Sequence, residues 1–155
     1  MKWAALGATV GDWETGDLVG ATLVSARTVS IDSDDESEDR LVFETAHGDV
    51  WQWYHAQDCC EVVWIEDVCG HLDDLVGQPI LLAEEVISTK SRDAPGWRRQ
   101  SGDRERGEPG DTWTFYKFAT IKGSVTVRWM GESNGYYSER VNLRVERCDR
   151  VGDEE

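Results

Sequence analysis

Thr112–Thr120 reads TWTFYKFAT and Ser124–Met130 reads SVTVRWM, with Ile121-Lys122-Gly123 between them. Two runs rich in β-branched and aromatic residues, joined by a short link containing Gly, predict a β-hairpin. Val125, Val127 and Trp129 alternate with Ser124, Thr126 and Arg128. That two-residue period belongs to a sheet with one buried face. Downstream, Asn134-Gly135 signals a tight turn, and Val141, Leu143 and Val145 alternate against Asn142, Arg144 and Glu146 as a closing strand.

Upstream lies a second aromatic block, Asp49–Thr89 (DVWQWYHAQDCCEVVWIEDVCGHLDDLVGQPILLAEEVIST). Leu41–Thr45 and Val50–His55 flank the turn residues Ala46-His47-Gly48-Asp49 and read as a hairpin. In the second of these runs Trp51, Trp53 and His55 share one face, and Val50, Gln52 and Tyr54 the other. Glu61–Val68 reads as a strand with Val63 and Ile65 facing one way and Val62, Trp64 and Val68 the other. His71–Val76 suits a single helical turn, which Gly77-Gln78-Pro79 stops. Ile80–Thr89 mixes helical and strand features, and Val86, Ile87 and the preceding Pro79 favour a strand. Val19–Ile31 is a further strand with an imperfect period.

These elements predict a mainly β fold of about eight strands, mostly antiparallel, with one or two short helices. A bent sheet, an open barrel and a sandwich all accommodate them. The organisation expected is a loosely ordered segment 1–18, a single β-rich domain over 19–147 and an acidic frayed tail 148–155. Residues 90–111 (KSRDAPGWRRQSGDRERGEPGD) hold Pro, Gly and many charges and read as an exposed loop insertion. Asp32–Asp39 (DSDDESED) reads as a solvated acidic loop; it lacks the central Gly of a helix–loop–helix calcium site.

The chain of 155 residues carries 16 basic and 31 acidic side chains, a formal net charge of −15. Phosphate contacts need Lys and Arg, so direct nucleic-acid binding and an anionic membrane surface are not expected. Eight Trp and a 39% hydrophobic fraction exclude general disorder. No window of 18 apolar residues exists, and MKWAALGATVGDWETGD does not look like an export signal. Reduced thiols in a cytoplasm are therefore the expectation for Cys59, Cys60, Cys69 and Cys148.

Three sets of side chains carry potential chemistry. His55, Asp58, Cys59, Cys60 and Glu61 bring a base, acids and thiols together in sequence, the ingredients of a thiol nucleophile. With Cys69, the same segment offers the ligand types of a zinc site without the usual spacing. The competing reading has Cys59 and Cys60 packing at a strand start, one inward and one outward. Glu66-Asp67 and Glu84-Glu85 interrupt apolar runs, as a divalent-cation site or an acid/base couple would require, or as edge strands protected by charge do. Tyr116, Lys117, Arg128, Ser133, Asn134, Tyr136 and Tyr137 place aromatic rings beside cations and polar groups, a combination suited to a nucleotide-type ligand. Trp113, Phe115 and Trp129 read as core.

The stretch HAQDCCEVVWIEDVCGHLDDLVGQPILLAEE, followed by TWTFYKFATIKGSVTVRWMGESNGYYSE, resembles an uncharacterised family of small proteins found mainly in tailed phages and prophages. The shared positions are Asp58-Cys59-Cys60-Glu61, Ile65-Glu66-Asp67, Gly70, Leu72, Leu75 and Gly77-Gln78-Pro79-Ile80, then the second block nearly whole. The resemblance spans Asp17 to Glu146 and implies a phage origin and a host-cytoplasm setting, without a reaction. The function expected is a non-enzymatic accessory protein that binds a host protein or sequesters a small ligand, with no cofactor. A small metal- or thiol-dependent enzyme is the alternative, and an acidic mimic of DNA the third. A homodimer is the base-rate assembly.

Overall fold

The computed structural model describes residues 8–9, 13–32, 37–89, 111–133 and 137–147. Within them the chain forms a short strand β1 (Ala8–Thr9) and eight longer ones. These are β2 (Leu23–Asp32), β3 (Ser37–Thr45), β4 (Val50–Tyr54), β5 (Val62–Cys69), β6 (Leu82–Thr89), β7 (Asp111–Thr120), β8 (Gly123–Glu132) and β9 (Asn142–Glu146). They build two antiparallel sheets, ordered β1-β9-β4-β3-β2 and β5-β8-β7-β6. The mainly β expectation holds, and no barrel closes. The only helical elements among the described residues are 3-10 turns at Thr15–Leu18 and Leu72–Leu75. None is long and apolar enough to cross a membrane.

Each sheet turns an apolar face inward, and the two faces bury each other. Leu41, Phe43, Trp51, Trp53 and Val145 of the first sheet meet Val63, Tyr116, Phe118, Val125, Val127 and Trp129 of the second. Ring contacts carry much of the join: Phe43 and Phe118 centroids lie 4.8 Å apart and Trp53 and Phe118 5.4 Å, both edge-to-face. That geometry sets the positive ring edge against the negative face of its neighbour. Trp53 is fully buried, and its indole N–H donates to Thr15 Oγ1 at 3.1 Å. A buried donor needs such a partner. The Thr15–Leu18 turn, within the stretch read as loose, thus supplies the core with fully buried Leu18.

The strongest sequence pattern is reproduced: β7 and β8 pair from Asp111↔Glu132 to Thr120↔Gly123, with Val125, Val127 and Trp129 inside. The β3–β4 hairpin also forms, with Gly48 at φ 94° in its turn, a conformation Gly adopts without a Cβ penalty. Three expectations are corrected. The acidic run is not wholly loop, since Asp32 ends β2 and Ser37–Asp39 open β3, paired to the last residue. Its acids have partners there: Ser30 Oγ donates to Asp39 Oδ1 at 2.7 Å, and the Ile65 N–H to Asp39 Oδ2 at 2.9 Å. Residues 33–36 lie outside the described residues. In β5 a bulge between Ile65 and Asp67 inserts one residue against β8. The bulge resets the alternation. Val68 therefore packs on the core with Val63 and Ile65 rather than facing away with Trp64. The strand read over Val19–Ile31, β2, starts at Leu23, because the preceding residues bond across to the 76–80 segment. The Gly20 N–H donates to Ile80 O and the Ile80 N–H to Ala21 O, both at 2.8 Å.

Candidate functional site

β4 ends at Tyr54 in the first sheet, and β5 begins at Val62 in the second. The connecting segment His55–Glu61 is the thiol-bearing motif, and two buried ionisable side chains anchor it. His55 Nδ1 lies 2.7 Å from Arg140 O, and Nε2 lies 2.7 Å from Glu61 Oε2. Both neighbours are oxygens, so each ring nitrogen is engaged by one. Glu61 is 2% exposed. Its Oε2 also accepts the Asp58 N–H at 2.7 Å, and Oε1 the Cys59 N–H at 2.9 Å. Burial pushes this carboxyl upward, but the hydrogen bonds from Cys59, His55 and Asp58 outweigh it and hold it at about 2, against an ordinary 4.5. Gln57 Nε2 adds bonds to Cys59 O and Glu61 O, and the Ala56 N–H donates to Asn142 Oδ1.

The clamp uses the groups a nucleophilic mechanism needs. Neither His55 nitrogen faces a sulfur, and both are engaged. Cys59 and Cys60 are joined to each other by a disulfide, with Cα atoms 3.7 Å apart. Both are exposed, so neither packs inward as the structural reading had it, and they are not the reduced thiols the sequence suggested. The loop turns both side chains out because Glu61, not a cysteine, fills the buried position at the start of β5. Cys69 is free and exposed at the far end of β5, away from the zinc set's other members.

The carboxylates of the metal reading separate likewise. Glu66 and Asp67 lie on β5 and Glu84 and Glu85 on β6, at opposite edges of the second sheet. Glu66 pairs with Arg128 at 2.6 Å, and Glu85 accepts the Tyr116 hydroxyl at 2.6 Å. Among the described residues, no three His, Cys, Asp or Glu side chains gather as metal ligands would.

The aromatic and cationic set divides by strand parity. Tyr116 is fully buried between the sheets, where burial first, and then the Glu85 bond, pushes its phenol far above the ordinary range. Ser133 is buried and bonded to Glu139, which also accepts from Thr112 Oγ1 at 2.5 Å. Tyr137 is half-buried in the following segment, and Asn134 and Tyr136 lie outside the described residues. Lys117 and Arg128 instead point outward. The register sets Trp64 opposite Met130 and Met130 opposite Trp113. The next row sets Arg128 opposite Phe115 and Phe115 opposite Val86. The Arg128 guanidinium lies over the Trp113 ring, 5.4 Å from its centroid. The outer face of the second sheet is thus aromatic, with Trp113 and Phe115 half-buried on it rather than in the core. Sequence reasoning missed Trp64, Trp113 and Phe115 as surface groups, although Trp113 and Phe115 share strand parity with Lys117.

Two hollows flank the 138–143 segment. One of about 380 Å³ is lined by His55, Gln57, Asp58, Ser138 and Asn142. The other, about 630 Å³, lies between Trp13, Glu84, Glu85, Arg140 and Asn142. Neither gathers the cation and rings of the proposed ligand set.

Comparison with curated proteins and with solved structures gives no match. A family model described as "Domain of unknown function (DUF7448)" matches residues 17–143, and the chain belongs to that family.

Proposed function

We propose that this domain is a non-enzymatic binding protein that seats an extended, basic host polypeptide on the outer face of the β5-β8-β7-β6 sheet. The observation that carries this reading is the convergence of Trp64, Trp113, Phe115, Val86 and Arg128 on that face in adjacent register rows. Aromatic rings and Arg are the side chains that dominate interface energetics. Carboxylates surround them: Glu66 and Asp67 on β5, Glu84 on β6 and Glu132 on β8 are all exposed. With a net charge of −15, this rim attracts a basic partner and repels phosphate. The engagement of both His55 nitrogens favours binding over catalysis. The resemblance to phage and prophage proteins supplies the setting, a host component in the bacterial cytoplasm.

The test compares immobilised wild-type protein with Phe115→Asp and Arg128→Ala variants of unchanged melting midpoint. Proteins retained from host lysate are identified by mass spectrometry and rebound in purified form. The expected partner binds through a basic segment, loses about tenfold or more in affinity with either variant and weakens as salt rises. Undiminished binding by both variants removes the face from the proposal. A discrete small-molecule mass in the native spectrum, with no protein retained, favours sequestration of a small ligand instead.

A further inference from the structure

We propose that Cys59 and Cys60 form a thiol–disulfide exchange site whose substrates are low-molecular-mass thiols and their disulfides. Cysteine is among the residues most often buried, and a buried cysteine is inert. Here both members of an adjacent pair lie exposed on one loop and are bonded to each other. The loop does not hang free. Its backbone is fixed at the pair itself by the Cys59 N–H on Glu61 Oε1 and by Gln57 Nε2 on Cys59 O. The neighbouring Asp58 N–H donates to Glu61 Oε2, and Glu61 is fixed in turn by His55. A buried hydrogen-bonded clamp thus presents two sulfurs to solvent in a defined backbone conformation. A pair with only a packing role has no need of exposure on both sides.

The chemistry balances without a cofactor. A small thiolate attacks one sulfur of the pair, the Cys59–Cys60 bond breaks, and a mixed disulfide forms. The departing cysteine sulfur leaves as thiolate and takes a proton from water. A second small thiolate attacks the small-molecule sulfur of the mixed disulfide. The small disulfide departs, and two electrons now reside on the reduced Cys59–Cys60 pair. The reverse sequence oxidises the pair at the expense of a small disulfide. Cys69 is not the resolving thiol. It ends β5, and the length of that strand puts it about 23 Å from the pair. Exchange with an external thiol is the remaining route for the described cysteines.

The bond closes a loop of adjacent residues, the shortest a disulfide can close, so it constrains the unfolded chain little. An exchange site therefore differs measurably from a structural staple. The native protein is equilibrated in buffers of graded ratio of a monothiol to its disulfide, quenched with acid, alkylated and digested. Cys59 and Cys60 are then read together on one peptide, with Cys69 as the internal reference. The expected result is paired, reversible conversion of both cysteines within the buffer series, while the melting midpoint stays within about 2 °C between the end states. A Cys60→Ser variant should trap the small thiol on Cys59 as a stable mixed disulfide, and Cys59→Ser should trap it on Cys60. The proposal is overturned by thiols that stay free in the most oxidising buffer. A pair that resists every reducing buffer until the protein unfolds overturns it too, as does a large fall in melting midpoint on reduction, which marks a staple. If either serine variant fails to fold, the wild-type titration still decides.

Discussion

The His55 imidazole and the Glu61 carboxylate form a buried hydrogen-bonded pair, Nε2 to Oε2 2.7 Å, with the two side chains 5% and 1% exposed. Burying polar groups is costly unless their hydrogen-bonding capacity is met. Here it is: the second ring nitrogen reaches Arg140 O, and the carboxylate collects the Asp58 and Cys59 N–H groups. The pair ties three parts of the chain together, namely the end of β4, the start of β5 and the segment before β9.

Glu61→Gln removes the carboxylate charge and weakens the hydrogen bonds it accepts from His55, Asp58 and Cys59. Hydrogen bonds to a charged group are worth about 1.5–3 kcal/mol each. Because the Gln oxygen still accepts one N–H bond, the expected loss is about 2 kcal/mol in urea unfolding at neutral pH. A change below about 0.5 kcal/mol would show that the clamp does not hold the loop.

The same carboxyl makes stability depend on pH with a definite sign. Its folded-state value of about 2 lies below the ordinary 4.5, so the folded state favours the ionised form. The contribution is fully present above 4.5 and is lost as pH falls from there through about 2. Unfolding free energy measured across that window should fall more steeply for wild type than for Glu61→Gln. Parallel curves would sink the assignment.

Tyr116 is one of four tyrosines, fully buried with its hydroxyl on Glu85 Oε2 at 2.6 Å. Its phenol ionises in the unfolded chain near 10 and resists ionisation when folded, so rising pH above 10 favours unfolding. In an alkaline titration followed by phenolate absorbance, this residue's share should appear only with global unfolding. Tyr116→Phe should remove that late component and cost about 1 kcal/mol for the lost hydrogen bond.

Gly70 has φ 104°, and a Cβ built there would come within 2.5 Å of Ser124 O and 3.2 Å of Val125 Cα. Both obstacles are backbone of β8, which cannot yield without breaking its ladder. Gly70→Ala combines a left-handed penalty with a clash and should cost about 2–4 kcal/mol by denaturant titration. Gly20→Ala is the control: φ is 96° with nothing within 4 Å, so only the backbone penalty of about 1–2 kcal/mol applies.

Much of the fold was legible because strands announce themselves by alternation. Val125, Val127 and Trp129 in β8 declare their buried face without outside help. Val68 did not, because the bulge at Ile65 and Asp67 is a property of the pairing with β8 and leaves no mark in the apolar pattern. The acidic run misled for a related reason. Charges such as Asp39 are tolerated in a strand once Ser30 and the Ile65 backbone supply donors, and those donors come from elsewhere in the chain.

The candidate sites followed the same division. The sequence by itself determined that His55, Asp58, Cys59, Cys60 and Glu61 would lie close together, because they are neighbours along the chain. It also determined, through strand parity, that Tyr116 and Lys117 would face opposite ways. Only the tertiary structure decided that His55 would turn to Arg140 O and Glu61, and the cysteines to solvent. The carbonyl that completes the clamp arrives from a segment 85 positions away. Only the pairing of three strands could set Trp64, Trp113, Phe115 and Arg128 on one surface. Local periodicity tells which side of a strand a residue takes; which residues share that side across a sheet depends on register, and register is a long-range property of the folded chain.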